Sequence, residues 1–255
     1  MTTGPELTCW SEDGVCIVTL NRPAAGNALS AELVAKLDSM LDEAAGQPPR
    51  LLVLRGEGRH FCTGFDLSKL DEESDSSLLA RFCRIELMLQ KMHRAPFPTL
   101  AIAHGRTVGA GADLFAACTY RLAVPGTLFA FPGASGFGLV LGTRRLVQCV
   151  GADRARDWVT SAASISVDEA LASGLATGTL ADASGAADIA RCLAAHTQSA
   201  TIGSLLRSAL NAADSVHDHV DLALLVRSAA VPGLKARIAG YVGRVKQPSP
   251  TSSPS

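Results

Sequence analysis

Aromatic residues make up only 5% of this chain, its net charge is −1, and its arginines are scattered. That balance excludes a basic nucleic-acid face and gives no attraction to an anionic membrane. Long apolar runs are also missing, which excludes a membrane-spanning helix. The opening Met-Thr-Thr-Gly-Pro-Glu is neither basic nor apolar, so no signal or transit peptide is expected and a cytoplasmic setting is. The seven cysteines are odd in number and without paired spacing, which predicts reduced thiols. Cys16, Cys83, Cys118, Cys149 and Cys192 sit in apolar stretches and read as small core residues. Cys62 lies in a glycine-rich bend but has no histidine arranged beside it, so it reads as packing rather than as a nucleophile. No His/Cys/Asp cluster has metal-ligand spacing and no Ser-His-Asp order is apparent, so no metal is expected.

What the chain does have is length and apolar content: 255 residues, 47% hydrophobic, enough for one large domain or a domain with an appendage. Residues 7–10 and 15–20 alternate around Asp13-Gly14, a hairpin signal. Ser30 caps a helix whose Leu33, Val34, Leu37, Met40 and Leu41 share one face. A buried strand is predicted over Leu51–Leu54, an acidic, serine-rich mobile loop over Asp71–Asp75, and a long helix from Leu78 to Arg94, ended by Ala95-Pro-Phe-Pro98. Strands recur through Thr99–Ala123 in strand–strand–helix units with parallel returns, so the fold class is α/β. Beyond Gly142 the pattern is helical: Ser166-x-x-Glu169 is a capping box, Gly174 marks that helix's end, and residues 184–245 give three or four more helices. Residues 1–183 form the expected core, 184–245 a C-terminal helical segment and 246–255 a disordered tail.

Two glycine-rich elbows carry the functional signal. The first is the strand Leu51–Gly56 followed by Phe61-Cys-Thr-Gly-Phe-Asp-Leu67; the second is Thr99–Gly105 followed by Val108-Gly-Ala-Gly-Ala-Asp-Leu114. Glycine at such a bend lets a ligand approach the backbone, and a helix opening there leaves its first amides without carbonyl partners. Two such amides converging on one point would stabilise the oxyanion of a thioester carbonyl.

In order and spacing, the chain resembles the crotonase superfamily, the enoyl-CoA hydratase/isomerase group. The resemblance is carried by Val15–Pro23 with Asn27-Ala-Leu29, Phe61–Leu67, His104–Leu114, Gly142-Thr-Arg-Arg-Leu146 and Ser166–Leu175, and covers roughly residues 6–182. It implies a spiral of strand–strand–helix units closed by a helical trimerisation segment that packs against a neighbour, hence a homotrimer or a dimer of trimers. It implies an acyl-CoA substrate, with coenzyme A as part of that substrate and no separate cofactor.

By the same resemblance, the oxyanion-hole donors are the amides of Phe65 and Ala110, 45 residues apart, and the Phe65 ring walls the acyl pocket. Asp66 orders its loop. The loop Ala24–Ala28, with Ala25 and Ala28, and the segment Phe65, Asp66, Leu67 and Ser68 would hold the CoA moiety together with Ala110, largely through backbone contacts. This loop lacks the basic residue that many relatives carry before the Asn. A hydratase of this family uses two glutamates. Here the first position is Asp113, and the second falls at Gly133, or at Ala134 with a different gap. Glu86, in a largely apolar helix, is either a substitute acid with a raised pKa or a solvated residue on the helix's polar side. His104 reads as structural, and His60 and His93 as loop or helix-end residues. The expected activity is an enolate step on an acyl-CoA, more readily isomerisation than hydration because one proton shuttle suffices for a 1,3-shift. A non-catalytic acyl-CoA-binding module, a thioesterase and a decarboxylase are the alternatives.

Overall fold

Asp13 and Gly14, both at positive φ (50° and 78°), turn the chain between β1 (Leu7–Glu12) and β2 (Val15–Leu20). A computed structural model describes residues 5–182 and 214–246 of the chain. The hairpin is as expected, but β2 is buried along its whole length rather than alternating. It pairs antiparallel with β1 on one edge and parallel with β3 (Leu51–Gly56) on the other, so both of its faces are covered. The main sheet continues with β4 (Thr99–Ala103), β6 (Tyr120–Ala123) and β8 (Gly178–Thr179), in the order β1-β2-β3-β4-β6-β8. Alternate residues separate two cores. Val18, Leu20, Leu52, Leu54 and Ala101 join the larger one under the helices, while Val15, Ile17, Leu51, Val53 and Leu100 form the smaller one on the opposite face.

A second, discontinuous layer of parallel pairing makes the spiral. β5 (Arg106–Val108) pairs with β7 (Leu128–Ala130), and single bridges join Leu29 to Phe65 and Cys62 to Thr107. Each turn therefore runs from a main strand through a short second-layer segment into a helix. The helices in order are α1 (Ala31–Gly46), α2 (Asp75–His93), α3 (Ala110–Ala116) and α4 (Gly133–Phe137). Phe65 and Ala110 sit at the same place in successive turns, which brings them side by side.

Ser30 caps α1 as predicted, accepting from the Leu33 amide at 3.0 Å. The stretch Asp71–Asp75 is not a free loop. A 3-10 turn spans Leu70–Glu72, and Ser74 and Ser77 form a reciprocal cap that starts α2 at Asp75, three residues ahead of the expected Leu78. Serine and acidic residues read as loop formers, yet here they are helix-start chemistry.

Next come α5 (Thr143–Val150), α6 (Ala152–Ser161) and α7 (Val167–Ser173), the last with Ser166 as cap and Gly174 at its end. Of the expected C-terminal helices, α8 (Asp214–Ala229) and α9 (Leu234–Lys246) are described. The rest of 184–213, Cys192 and the expected tail over 247–255 lie outside the described residues. α8 and α9 bury Leu225, Ala229, Leu234 and Ile238 in the chain's own core. The Asp75 carboxylate accepts from the Gly233, Leu234 and Lys235 amides at 3.0, 3.1 and 2.8 Å, tying the start of α9 to the start of α2. Among the described residues no helix is long and apolar enough to cross a membrane.

The two elbows touch through backbone. A Cβ added at Gly111 would lie 2.3 Å from the Cys62 carbonyl oxygen, inside atomic contact. Gly111→Ala is accordingly expected to cost about 1–3 kcal/mol in urea unfolding, the range for overpacking a filled core; an unchanged midpoint would show that the elbows are loosely apposed.

Candidate active site

Gly64 (φ 98°) and Gly109 (φ 56°) hold the two bends open. The approach at Gly64 is close: a Cβ there would fall 2.7 Å from the Val108 carbonyl and 3.5 Å from the Ala110 nitrogen. Around these bends the backbone groups are paired. Leu29 N–H donates to Gly64 O at 2.7 Å, Val108 N–H to Cys62 O at 3.0 Å, and Gly109 N–H to Ala130 O at 2.8 Å. The amides of Phe65 and Ala110 have no backbone acceptor among the described residues. Ala110 is the first residue of α3, where an orphan amide is intrinsic to helix geometry.

Both residues line one cavity of about 740 Å³ counting its open mouth. Its walls are mainly apolar. The Phe65 ring stacks on Phe82 at 4.4 Å between centroids, and Phe137 continues the row, meeting Tyr241 edge-on at 5.5 Å. Arg81 covers the Phe65 ring, 4.1 Å from its centroid, and donates to Asp66 O. Ile238 and Tyr241 bring α9 into the cavity wall, a contribution that sequence reasoning missed because helices late in the chain offered no motif. Tyr241 seats directly on Gly136, where an added Cβ would meet its ring at 2.8 Å.

Asp113 lies in the first turn of α3, buried, and is the one carboxylate lining the cavity among the described residues. Its carboxyl packs on the backbone of Gly142, where a Cβ would come within 2.1 Å of Oδ1. Burial pushes its pKa well above the ordinary value; Arg145 draws it down and Glu86 pushes it further up. Gly133 and Ala134 also line the cavity at the start of α4, so the second carboxylate position holds no proton-transfer group.

Glu86 is neither a solvated residue nor part of the cavity lining. It is 1% exposed and receives two bonds from Arg145, Nη1 to Oε1 at 2.9 Å and Nη2 to Oε2 at 2.6 Å, with Gln90 adding a third at 2.9 Å. The helix stripe explains the correction: Phe82, Ile85, Met88, Leu89 and Met92 are all buried, and Glu86 falls on their side. Arg145, 59 residues away and also 1% exposed, could not be paired with it from spacing alone.

Among the expected CoA-contacting residues, Phe65, Leu67 and Ala110 line the cavity, whereas Ala25, Ala28, Asp66 and Ser68 do not. The latter four belong to the adjoining loops, which are tied together. Asp66 accepts from the Ser68 amide at 2.9 Å and from Arg22 at 2.8 Å; burial opposes its ionisation, but these partners hold its pKa below the ordinary value. Arg22 also donates to Ala28 O. The Asn27 amide group donates to Glu57 O and His60 O at 2.9 and 2.7 Å, pinning one loop on the other. His104 bonds Gly58 O at 3.0 Å and His60 accepts from the Arg106 amide at 3.1 Å, both structural contacts. Burial pushes the Cys62 thiol up to about 12, so it is inert packing. Cys9 and Cys16, unpaired by spacing, lie with their sulfurs 3.2 Å apart across the hairpin. No metal-binding group is found among the described residues.

The profile of the enoyl-CoA hydratase/isomerase family matches residues 15–230. The chain belongs to that family. A Mycobacterium tuberculosis protein named probable enoyl-CoA hydratase is 36% identical over 185 residues, covering 70% of this chain and 74% of that protein. The ethylmalonyl-CoA decarboxylase of Gallus gallus is 31% identical over 185 residues, covering 70% of this chain and 62% of that one. The crystal structure of a Bordetella parapertussis protein named putative enoyl-CoA hydratase/isomerase superposes with a TM-score of 0.87 at 42% identity, covering 96% of this chain and 100% of that one. The spiral is thus the crotonase fold.

Two outcomes follow from the buried charges. Glu86→Gln leaves the Arg145 guanidinium buried without its counter-ion and is expected to cost about 3 kcal/mol or more in chemical unfolding; a neutral result would show that the pair does not anchor α5 to α2. Asp113 carries a raised pKa, so its contribution to stability is complete below its ordinary value of 3.8 and is lost as pH rises toward the folded value. The stability of Asp113→Asn relative to the parent is therefore expected to grow from pH 4 upward and then level off, as read from paired melting curves; a gap that shrinks with pH would mean the carboxyl is ionised.

Proposed function

We propose that this protein is an enzyme that forms a thioester enolate from an acyl-CoA, holding the developing oxyanion between the Phe65 and Ala110 amides. One observation carries the reading: among the described residues, two orphan amides from successive turns of the spiral border one apolar cavity that contains a single carboxylate. Fixed donors in a water-poor site stabilise an oxyanion without reorganising, which is the largest catalytic contribution such a fold offers. Asp113 is the proton-transfer group. Hydration requires a base for water and an acid for the α-carbon, and the position at Gly133 supplies neither. A step that moves one proton, such as a 1,3 double-bond shift, is the better match. The acyl group lies against Phe65, Phe82 and Phe137, and the tied loops carrying Ala25, Ala28, Asp66 and Ser68 border the coenzyme A moiety. Coenzyme A enters as part of the substrate.

The side chain missing at Gly133 also supports a second reading, a module that binds acyl-CoA without transforming it. Ala110→Pro separates the two. Proline is well accommodated at the first position of a helix, so the fold is expected to persist while the donor is removed. Enzymatic turnover of CoA esters is expected to fall at least about a hundredfold, the scale for losing one oxyanion donor, with an unchanged circular-dichroism spectrum. Unchanged turnover in the folded variant would remove the oxyanion role.

A further inference from the structure

Arg145 holds Glu86 through its two terminal nitrogens, Nη1 at 2.9 Å and Nη2 at 2.6 Å. A guanidinium engaged end-on in this way keeps its Nε–H unused, because its five donors point in fixed directions within one plane. The side chain is 1% exposed, and Nε is buried with no hydrogen-bond partner among the described residues. A buried donor left unpaired costs about 1–3 kcal/mol. The Asp113 side chain is the complementary group. It too forms no hydrogen bond among the described residues, and it lies close enough to Arg145 for that charge to act on it. Its carboxyl rests on the backbone of Gly142, the residue that caps the amino end of α5, and Arg145 belongs to the same first turn. Gly142 brings no capping side chain, and the Thr143, Arg144 and Arg145 amides have no backbone acceptor among the described residues. A carboxylate placed there is favoured by the amino end of the helix as well as by Nε.

We propose, resting on the acyl-CoA reading above, that Arg145 is a positioning residue whose Nε–H, with the first turn of α5, receives the Asp113 carboxylate whenever that group has given up its proton. In a 1,3-shift the carboxylate takes a proton from the α-carbon of a 3-enoyl thioester. The C–H electron pair passes into the enolate held by the Phe65 and Ala110 amides, and the same proton returns at the γ-carbon, so none is gained or lost. The reaction therefore needs the carboxylate form, which burial opposes. Glu86 cancels the net charge of Arg145 but leaves it this one directed donor. The pair thereby grades the attraction. A full uncancelled charge would hold the carboxylate too firmly for it to be an effective base, and no donor at all would keep it from forming.

Of the elements packed on α3, α2 brings Glu86 and α5 brings Arg145, while β4 carries no titratable side chain and β5 only the exposed Arg106. Tyr241 stands across the cavity on α9, and Asp221 of α8 bears on Arg145 but is itself held by Arg144 at 2.6 Å. Three variants separate charge from direction. Glu86→Gln leaves Arg145 its full charge. Glu86→Leu combined with Arg145→Met removes both charges at similar volume, and folds without a buried unpaired ion should the single variant not fold. Arg145→Lys keeps an ion pair but replaces the planar fork with a point charge. The full-length proteins are given 3-enoyl-CoA esters across a range of pH, and turnover is read from the ultraviolet absorbance of the conjugated 2-enoyl product. In parallel the Asp113 carboxyl is titrated by carbon-13 NMR of aspartate-labelled protein, with Asp113→Asn identifying its signal. The parent's kcat is expected to rise with pH through the folded value of Asp113. Both midpoints are expected to move down by about one pH unit or more in Glu86→Gln, and up in the double variant and in Arg145→Lys. A midpoint common to the parent and all three variants, whatever the loss of rate or stability, overturns the inference and leaves the acyl-CoA enzyme standing. An unmoved Arg145→Lys beside a displaced double variant overturns the role of Nε. Displaced NMR titrations without turnover of any ester keep the Arg145 assignment and remove the enzyme reading.

Discussion

Backbone-to-backbone contact between the two elbows is the constraint on which the site depends. Gly64 lies against the Val108 carbonyl and Gly111 against that of Cys62, and neither contact leaves room for a Cβ. Because the elbows touch without intervening side chains, the residues that follow them, Phe65 and Ala110, are set by backbone geometry. An amide aimed in this way loses no side-chain entropy on binding a ligand, and its position is fixed by strand pairing and helix packing. The Cys62–Thr107 bridge and the Val108-to-Cys62 hydrogen bond lock the register between the turns. A slip of one residue would turn both amides away from the cavity.

Charge is handled more expensively. Burying the Arg145–Glu86 pair costs desolvation on both sides, recovered only in part by two well-formed bonds. A hydrophobic pair could fill the same volume, so the ion pair has a consequence beyond packing: it sets the electrostatic surroundings of Asp113. With the pair neutral overall, an additional ionised carboxylate in the same region lacks compensation, and burial raises the pKa of Asp113 well above its ordinary value.

Much of this was legible in the sequence and part was not, for identifiable reasons. Glycine punctuation showed the elbows, since only a bend at positive φ or a close approach requires Gly at positions such as Gly64 and Gly109. The hairpin at Asp13-Gly14 and the caps at Ser30 and Ser166 were readable because turn and cap chemistry is local. The fate of Glu86 was not local. Its burial follows the helix stripe, but its partner arrives from α5, and periodicity assigns a face without naming what lies opposite. The same holds for Cys9 and Cys16, whose proximity depends on hairpin register. For Asp71–Asp75, composition misled, because serine and aspartate serve loops and helix starts equally well.

The C-terminal helices change the logic of the cavity. α9 closes one side of the cavity through Ile238 and Tyr241, with Tyr241 seated on Gly136. Its amino end is held by the Asp75 carboxylate, which simultaneously begins α2, the helix that carries Phe82 and Glu86. One carboxylate thus links the helix that lines one side of the cavity to the helix that covers the other. Displacing α9 requires breaking three charge-assisted bonds and exposing Leu234 and Ile238, so the wall is a structural component of the core as well as a cover. Ile238 of α9 therefore walls the cavity and fills the core at once.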